Sequence, residues 1–168
     1  IRQLADIDGD GELATEPAQE PANPSDQAWI TEQLLYEAYT LDCTVPDTRP
    51  ASETDNPNAG VVACSLEDQT KHVLGPAELD GSNLTTASSS PATNQQGVPT
   101  GGWAVNMSFD SEGAQIFADV TARLATLQYP QNAFAAVLDG NVISFATVSY
   151  TIAGGEAQIS GTFNADQA

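Results

Sequence analysis

The sequence has few basic residues, a single histidine and no long apolar run. Its 168 residues include four Lys or Arg against 23 Asp or Glu, which gives a net charge of −19. Such a charge repels nucleic-acid phosphates and anionic lipid headgroups, so we expect no direct binding of DNA or RNA. Because no run of 18 apolar residues is present, no segment is predicted to span a membrane.

Side chains for common catalytic sites are also scarce. His72 is the only histidine, and its apolar neighbours favour a packed or edge position on a strand over a catalytic base. No serine is flanked by the glycines of a nucleophile elbow, and no lysine follows Gly101-Gly102 or Gly154-Gly155 as in a phosphate-binding loop. Paired carboxylates leave a hydrolase open as one hypothesis, although 7% aromatic residues give it little support. We predict that the chain is not an enzyme.

Two cysteines, Cys43 and Cys64, bracket a polar loop rich in Pro and Asp. Two are too few for a zinc site. If they pair, they close a loop whose cross-link contributes about 3 kcal/mol and requires an oxidising compartment. Two buried free thiols are the alternative. We predict the disulfide, because both cysteines lie beside predicted elements and the loop between them needs a covalent tie.

An acidic segment near the start resembles the first half of a calcium-binding loop. Asp6, Asp8 and Asp10 occupy its first, third and fifth positions, and a glycine occupies the sixth. The twelfth position, a bidentate Glu in such loops, is Pro17. The weak candidate ligands are therefore Asp6, Asp8, Asp10 and Glu12. An acidic turn without metal is the alternative, and we expect no cofactor beyond adventitious calcium.

The last third of the chain, from Trp103 to Phe163, predicts a strand, a helix, a hairpin and a strand. Apolar residues alternate from Trp103 to Phe109, and Asp110 then supplies a helix cap before an apolar stripe. Asp139-Gly140 predicts a two-residue hairpin turn. Gly154-Gly155 precedes the final predicted strand.

The first two thirds are predicted with longer connections. Ser25-Asp26 is expected to cap one helix that runs to about Leu41, and strands are expected at 61–66 and 71–74. A short strand is also expected at Ile1–Ile7. Polar composition predicts loops at 44–60 and 85–102.

These elements predict an α+β fold with two layers. A mainly antiparallel sheet packs with two main helices, and long polar loops connect them. Residues 1–24 are expected to form a partly flexible N-terminal segment, and 25–168 the domain. Because the chain begins at Ile1 without a leader pattern, we expect it to be a piece of a longer protein.

Four segments together carry a resemblance to a known family. They are Leu74–Gly81, Phe109–Thr121, Ala136–Ser144 and Ile152–Phe163. Over about residues 41–168 the chain resembles the head region of the first periplasmic domain of SecD, in the extracytoplasmic part of that family. Leu41-Asp-Cys43 together with Cys64 resembles the actinobacterial type. The chain departs from the family at Ser144-Phe-Ala146, where Ser-Ala-Pro is frequent.

The resemblance implies a non-catalytic extracytoplasmic domain of the SecD subunit of the Sec translocase. Its implied role is to bind and handle preprotein during export driven by the proton-motive force, on the extracytoplasmic side of the bacterial cell membrane. The implied partners are SecF, the SecYEG channel and unfolded preprotein. The parent would be a membrane-embedded protein of the RND superfamily, and this piece of it soluble. An extracellular calcium-dependent binding module is the alternative, and neither hypothesis identifies the residues that contact preprotein.

Overall fold

A computed structural model describes residues 12–65, 68–93, 96 and 98–161. The short strand predicted at 1–7 therefore lies outside the described residues, as does Phe163. The helices are α1 (Glu32–Thr40), α2 (Ala51–Thr54) and α3 (Ser111–Leu124), with 3-10 turns at Gln27–Trp29 and Gly81–Asn83. The strands are β1 (Val61–Ser65), β2 (Lys71–Leu74), β3 (Leu84–Thr93), β4 (Pro99–Phe109), β5 (Ala133–Leu138), β6 (Asn141–Thr147) and β7 (Glu156–Gly161). The predicted α+β class is confirmed.

Packing divides the described residues into two compact units. Unit 1 comprises those within 1–77 and 135–145, and unit 2 those within 78–134 and 146–168. The sequence predicts one domain over 25–168 and does not reveal this division, because the hairpin near the C-terminus contributes to unit 1 far from its neighbours in sequence.

In the first sheet the strand order is β2-β1-β6-β5. β1 pairs antiparallel with β2, so that Val61 lies opposite Leu74. It pairs in parallel with β6, so that Cys64 lies opposite Asn141. Four consecutive residues of β1, from Val61 to Cys64, are buried, which is the pattern of a central strand covered on both faces.

The prediction of a single helix from Ser25 to Leu41 is wrong, because this segment forms a 3-10 turn followed by a separate helix, α1. Asp26 caps only a 3-10 turn, accepting the Ala28 N–H at 3.0 Å. Thr31 is extended and starts α1 anew, its Oγ1 accepting the Leu34 N–H at 3.3 Å. A β-branched residue with a short hydroxyl is a poor helix-interior residue and a good cap, so the break falls at Thr31.

Ala14 attaches the segment before α1 to that helix. The Ala14 N–H donates to Oε2 of Glu32 at 3.2 Å, and the Ala14 carbonyl accepts the Gln33 N–H at 3.1 Å. No residue from 12 to 24 is buried. The partial flexibility of the N-terminal segment stays a prediction.

In unit 2, the loop predicted at 85–102 is wrong. β3 occupies most of it and pairs antiparallel with β4, which in turn pairs with β7. Ser and Thr are expected in loops, yet here β4 pairs with the backbone groups of β3 that face it. Pro91 is tolerated because β3 is an edge strand with irregular pairing at Leu84/Thr86 and at Pro91/Thr93. The loop predicted at 44–60 is likewise interrupted, by the four-residue helix α2.

The helix predicted after Asp110 is confirmed as α3. Oδ1 of Asp110 accepts the Gly113 N–H at 2.7 Å, and the apolar stripe at Phe117, Val120 and Leu124 is buried. The Phe117 ring lies 5.0 Å from that of Phe109, centroid to centroid. This stripe is the core of unit 2.

The hairpin predicted around Asp139-Gly140 is also confirmed. Asp139 has φ 49° and Gly140 has φ 74°, the left-handed pair that a two-residue turn of this type requires. A Cβ on Gly140 would lie 2.8 Å from Cβ of Thr54. Both the backbone conformation and the space therefore require glycine at 140.

Candidate functional site

A disulfide joins Cys43 to Cys64, as the sequence predicts, with the two Cα atoms 5.5 Å apart. Cys43 follows α1 directly, and Cys64 is a buried residue of the central strand β1. The bond therefore ties the end of a helix to the centre of the first sheet, and it closes the loop that contains α2.

Arg49 anchors the same loop at its middle. One of its terminal nitrogens, Nη2, donates to the Val62 carbonyl and to Oδ2 of Asp47, both at 2.7 Å. The other, Nη1, donates to Oε2 of Glu37 at 3.3 Å. The hydrogen bond from Arg49 lowers the pKa of Asp47. The loop is thus attached to α1 and β1 by charge-assisted bonds as well as by the disulfide.

The basic side chains within the described part of the chain are all engaged internally. Lys71 Nζ donates to the carbonyl of Ala38 at 3.0 Å, near the end of α1 where the helix dipole favours a cation. Arg123 pairs with Glu78, and Arg49 pairs with Asp47. Because these three basic charges are bonded within the protein, the described surface is predominantly acidic.

His72 takes part in a polar cluster whose geometry does not activate a nucleophile. The Thr70 hydroxyl lies 2.7 Å from Oδ1 of Asp68 and 3.0 Å from Nε2 of His72. An ionised carboxylate accepts only, so Thr70 donates its one proton to Asp68 and accepts from His72. Hydrogen bonds from the Ser65 and Thr70 hydroxyls lower the pKa of Asp68 to about 2, which keeps it ionised. The imidazole is therefore not placed to remove the Thr70 proton.

The other side of the His72 ring contacts Phe145, with ring centroids 4.8 Å apart. Phe145 is part of an exposed apolar surface on the hairpin, made of Leu138, Ile143 and Phe145, which are 59%, 40% and 38% exposed. We call this surface the hairpin face. A two-residue turn and strand alternation place these three side chains on one side, while Val142 on the other side is 2% exposed.

Two adjacent apolar residues in the sequence indicate the hairpin face, although this face was not predicted from them. Val142 and Ile143 are both large and apolar although they point to opposite sides of β6. Two adjacent apolar residues in a strand predict that both sides are apolar. Which of the two sides is covered depends on packing with distant residues, so the sequence did not distinguish them.

The weak calcium ligands are only partly located. Asp6, Asp8 and Asp10 lie outside the described residues, and Glu12 is exposed. Among the residues that the structure describes, no group of three His, Cys, Asp or Glu side chains is arranged to hold a metal ion. In the same part of the chain, no helix has the length and apolar character needed to cross a bilayer.

Comparison with known proteins places residues 60–168 in a family described as "SecDF, P1 head subdomain". The chain is 38% identical over 142 residues to protein translocase subunit SecD of Streptomyces coelicolor, covering 82% of this chain and 24% of that protein. It is 34% identical over 108 residues to SecD of Mycobacterium tuberculosis, covering 64% of this chain and 17% of that protein. The chain thus spans a quarter or less of the length of these curated relatives.

Two solved structures are also similar. A crystal structure of SecDF in a super-membrane-facing form aligns over 89% of this chain and 16% of that one, with 27% identity and a TM-score of 0.41. A SecDF structure described as a membrane component that enhances protein export aligns over 56% of this chain and 36% of that one, with 33% identity and a TM-score of 0.38.

Proposed function

This chain belongs to the family of SecDF P1 head subdomains, and from that premise we propose that it binds and handles unfolded preprotein during export. The relatives that it matches are translocase subunits, and the chain corresponds to the periplasmic head region of SecD. In the proposed role, the domain acts on the extracytoplasmic side of the bacterial cell membrane. It holds an emerging polypeptide while the membrane-embedded remainder of the protein uses the proton-motive force.

One observation carries this proposal, which is the hairpin face. Three large apolar side chains, Leu138, Ile143 and Phe145, remain between 38% and 59% exposed on one strand pair. Unfolded polypeptides expose apolar side chains, and an exposed apolar surface binds these without a strict sequence requirement. A domain that must accept many preproteins needs this tolerance.

The acidic surface supports the same role. The chain carries a net charge of −19, and the basic residues Arg49, Lys71 and Arg123 are bonded within the protein. Basic segments of a polypeptide are therefore attracted over distances of about 10 Å at 0.1 M salt, and the attraction weakens as salt is raised. The loop that contains Arg49 is itself anchored to α1 and β1 by the bonds from Arg49 to Glu37 and to the Val62 carbonyl.

Several parts of the proposal concern the whole protein. We propose SecF and the SecYEG channel as its partners, with the proton-carrying residues in membrane segments beyond this chain. We further propose that the domain is not an enzyme and has no resident cofactor. The Thr70 hydroxyl donates its proton to Asp68, so His72 is not placed to activate it, which supports the first of these statements.

Export itself tests the proposal. In cells that lack the parent protein, we would compare the full-length protein with a version from which this domain has been removed. We expect the shortened protein to insert in the membrane and fail to restore secretion of a reporter. Full restoration of secretion would refute a role for the domain in export.

A binding measurement tests directly whether the hairpin face binds unfolded polypeptide. The probe is a reduced, carboxymethylated and fluorescently labelled polypeptide that cannot refold, and the readout is anisotropy. Replacing Leu138 and Phe145 with Ser should weaken binding, whereas Tyr150→Ser is a control because Tyr150 is 72% exposed and lies outside the hairpin face. A calcium titration with the same readout tests the alternative of a calcium-dependent module, which predicts binding only when calcium is present.

A further inference from the structure

We propose that the outer edge of β5, at Ala135–Leu138 in unit 1, adds an extended segment of polypeptide as a further strand. This inference rests on the proposed function and names how the polypeptide is bound. The edge contributes backbone hydrogen bonds, the hairpin face contributes apolar contact, and the segment that fits is apolar with basic residues at its ends.

The geometry of the hairpin determines which backbone groups are available. β5 is the last strand in the order β2-β1-β6-β5, so β6 is its one strand neighbour among the described residues. The two-residue turn pairs Leu138 with Asn141 across the hairpin, and hydrogen-bonded pairs alternate from there along the strands. The N–H and C=O groups of Leu138 and Ala136 therefore face β6, while those of Ala135 and Val137 face outward.

Proteins usually protect such an edge, and the described β3 and β2 edges show protection. β3 contains Pro91 and two irregularities in its pairing. β2 has four residues and begins with Lys71. Short length, a charged residue, proline and bulges all discourage strand addition.

The remaining edge strand, β7, begins with the exposed acid Glu156. β5 is six residues long and has the sequence Ala-Phe-Ala-Ala-Val-Leu, without charge, proline or glycine. It also pairs through a regular two-residue turn. An apolar, unprotected edge of this length is a site for strand addition. In a domain that binds polypeptide, such an edge is expected if it takes part in the binding.

The side chains next to this edge favour a site that accepts added strands of many different sequences. Ala135 and Ala136 have small side chains, so an added strand can approach whatever its own side chains are. Leu138, Ile143 and Phe145 are the exposed apolar neighbours on one side of the hairpin. Affinity then comes mainly from the backbone and from non-directional apolar contact, and sequence selectivity stays weak.

The net charge of the chain determines which kind of segment the β5 edge favours. Two copies of this chain could in principle pair edge to edge, but each carries a net charge of −19, and their repulsion opposes the contact. The same charge attracts a segment with Lys or Arg at its ends. The observations therefore favour a basic, apolar, extended segment over a second copy of the chain.

The test uses three labelled synthetic peptides and the unmodified 168-residue chain. The first has three Thr-Val repeats flanked by two lysines on each side. The second has the same sequence with alternate backbone nitrogens methylated, which removes strand donors and keeps side chains and charge. The third replaces the lysines with glutamates. We expect the first to bind, the second to bind about tenfold more weakly through loss of hydrogen bonds, and the third to bind weakly at low salt.

Two protein variants complete the test. Val137→Pro removes an N–H that faces outward and leaves the pairing with β6 in place, so it should weaken binding of the first peptide about tenfold. Val137→Thr is the matched control, since it keeps the backbone donor and the branched shape, and it should bind like the unmodified chain. Thermal melts of both variants establish that they fold.

The outcomes separate the two proposals. If the unmodified chain binds the first peptide but methylation and Val137→Pro make no difference, the β5 edge is refuted while preprotein binding stands. If it binds none of the peptides and no unfolded polypeptide, the proposed function is refuted and this inference with it. Sedimentation that shows a dimer disrupted by Val137→Pro would identify a second copy of the chain as the occupant and overturn the assignment to a basic extended segment. If Val137→Pro fails to fold, the comparison of the first and the methylated peptide still tests strand addition, because equal binding of the two would refute it.

Discussion

The Thr121 hydroxyl accepts a hydrogen bond from the backbone N–H of Ile152 at 2.9 Å. The same hydroxyl donates to the Phe117 carbonyl at 2.7 Å, one turn earlier in α3. Thr121 is 0% exposed. One buried side chain thus connects the helix of unit 2 to the irregular segment between β6 and β7.

We predict that Thr121→Val destabilises the protein by about 1–3 kcal/mol, because it removes the hydroxyl that accepts the part-buried Ile152 N–H. The measurement is chemical denaturation. Thr40→Val is the control, since the Thr40 hydroxyl makes the same type of bond to the Tyr36 carbonyl at 2.9 Å on an exposed surface. Its effect should stay within about 0.5 kcal/mol, and equal effects of the two changes would contradict the role given to Thr121.

We predict that removing the Cys43–Cys64 bond by a double change to Ala costs about 3 kcal/mol, because the loop between them becomes free in the unfolded chain. Denaturation with and without reductant measures the cost, and the double variant should not respond to reductant. The mass of the native protein should rise by two hydrogens on reduction. Two thiols that are alkylated without reductant would show that the bond is absent.

We predict that the Asp68 carboxyl titrates near pH 2 in the folded protein, because hydrogen bonds from the Ser65 and Thr70 hydroxyls lower its pKa to about 2, against about 3.9 in an unfolded chain. The folded pKa is the lower of the two, so the stabilisation is fully present above about pH 4. It is lost as the pH falls through the folded pKa. Carboxyl carbon shifts followed by NMR give the value.

Thr70→Ala is the matched variant for this titration, because it removes the hydroxyl that donates to Asp68 at 2.7 Å. The carboxyl pKa should move up toward its unfolded value in this variant. An unchanged titration would show that Thr70 does not stabilise the carboxylate.

We predict that Gly140→Ala destabilises the protein by about 1–3 kcal/mol. Gly140 has φ 74°, and an added Cβ would lie 2.8 Å from Cβ of Thr54. Gly154→Ala is the control, because nothing lies within 4 Å of a Cβ at that position. Melting temperatures compare the two. A Gly140→Ala variant that melts with the unmodified protein would contradict the turn geometry.

Local signals predicted the last third of the chain well. The Asp110 side chain caps α3, and Asp139-Gly140 forms the hairpin turn, because each depends on a few neighbouring residues. Capping oxygens, turn residues and hydrophobic spacing act over one or two turns of chain. Three of the four segments that carry the resemblance to the SecD family also lie in this region, and the comparisons confirm the family.

Elements that depend on distant partners were not predicted. β3 is a run of Ser and Thr that forms a strand because β4 supplies its hydrogen bonds. Thr31 interrupts a helical pattern because its hydroxyl caps α1 while Trp29 donates its indole N–H to the Asn23 carbonyl at 3.0 Å. The polar composition of β3 is compatible with a strand or a loop, and the apolar spacing around Thr31 with one helix or two elements. Tertiary contacts therefore decide which structure forms.

By itself, the sequence determined the acidic character of the protein, its α+β class, its main helix and hairpin and its family, since each follows from composition or from neighbouring residues. Only the tertiary structure decided how the chain divides into two units, that Thr70 commits its proton to Asp68, and which side of the hairpin stays exposed. The reason is physical. Val142 and Ile143 are similar in chemistry, and burial of one and exposure of the other depend on which residues, far away in sequence, pack against β6.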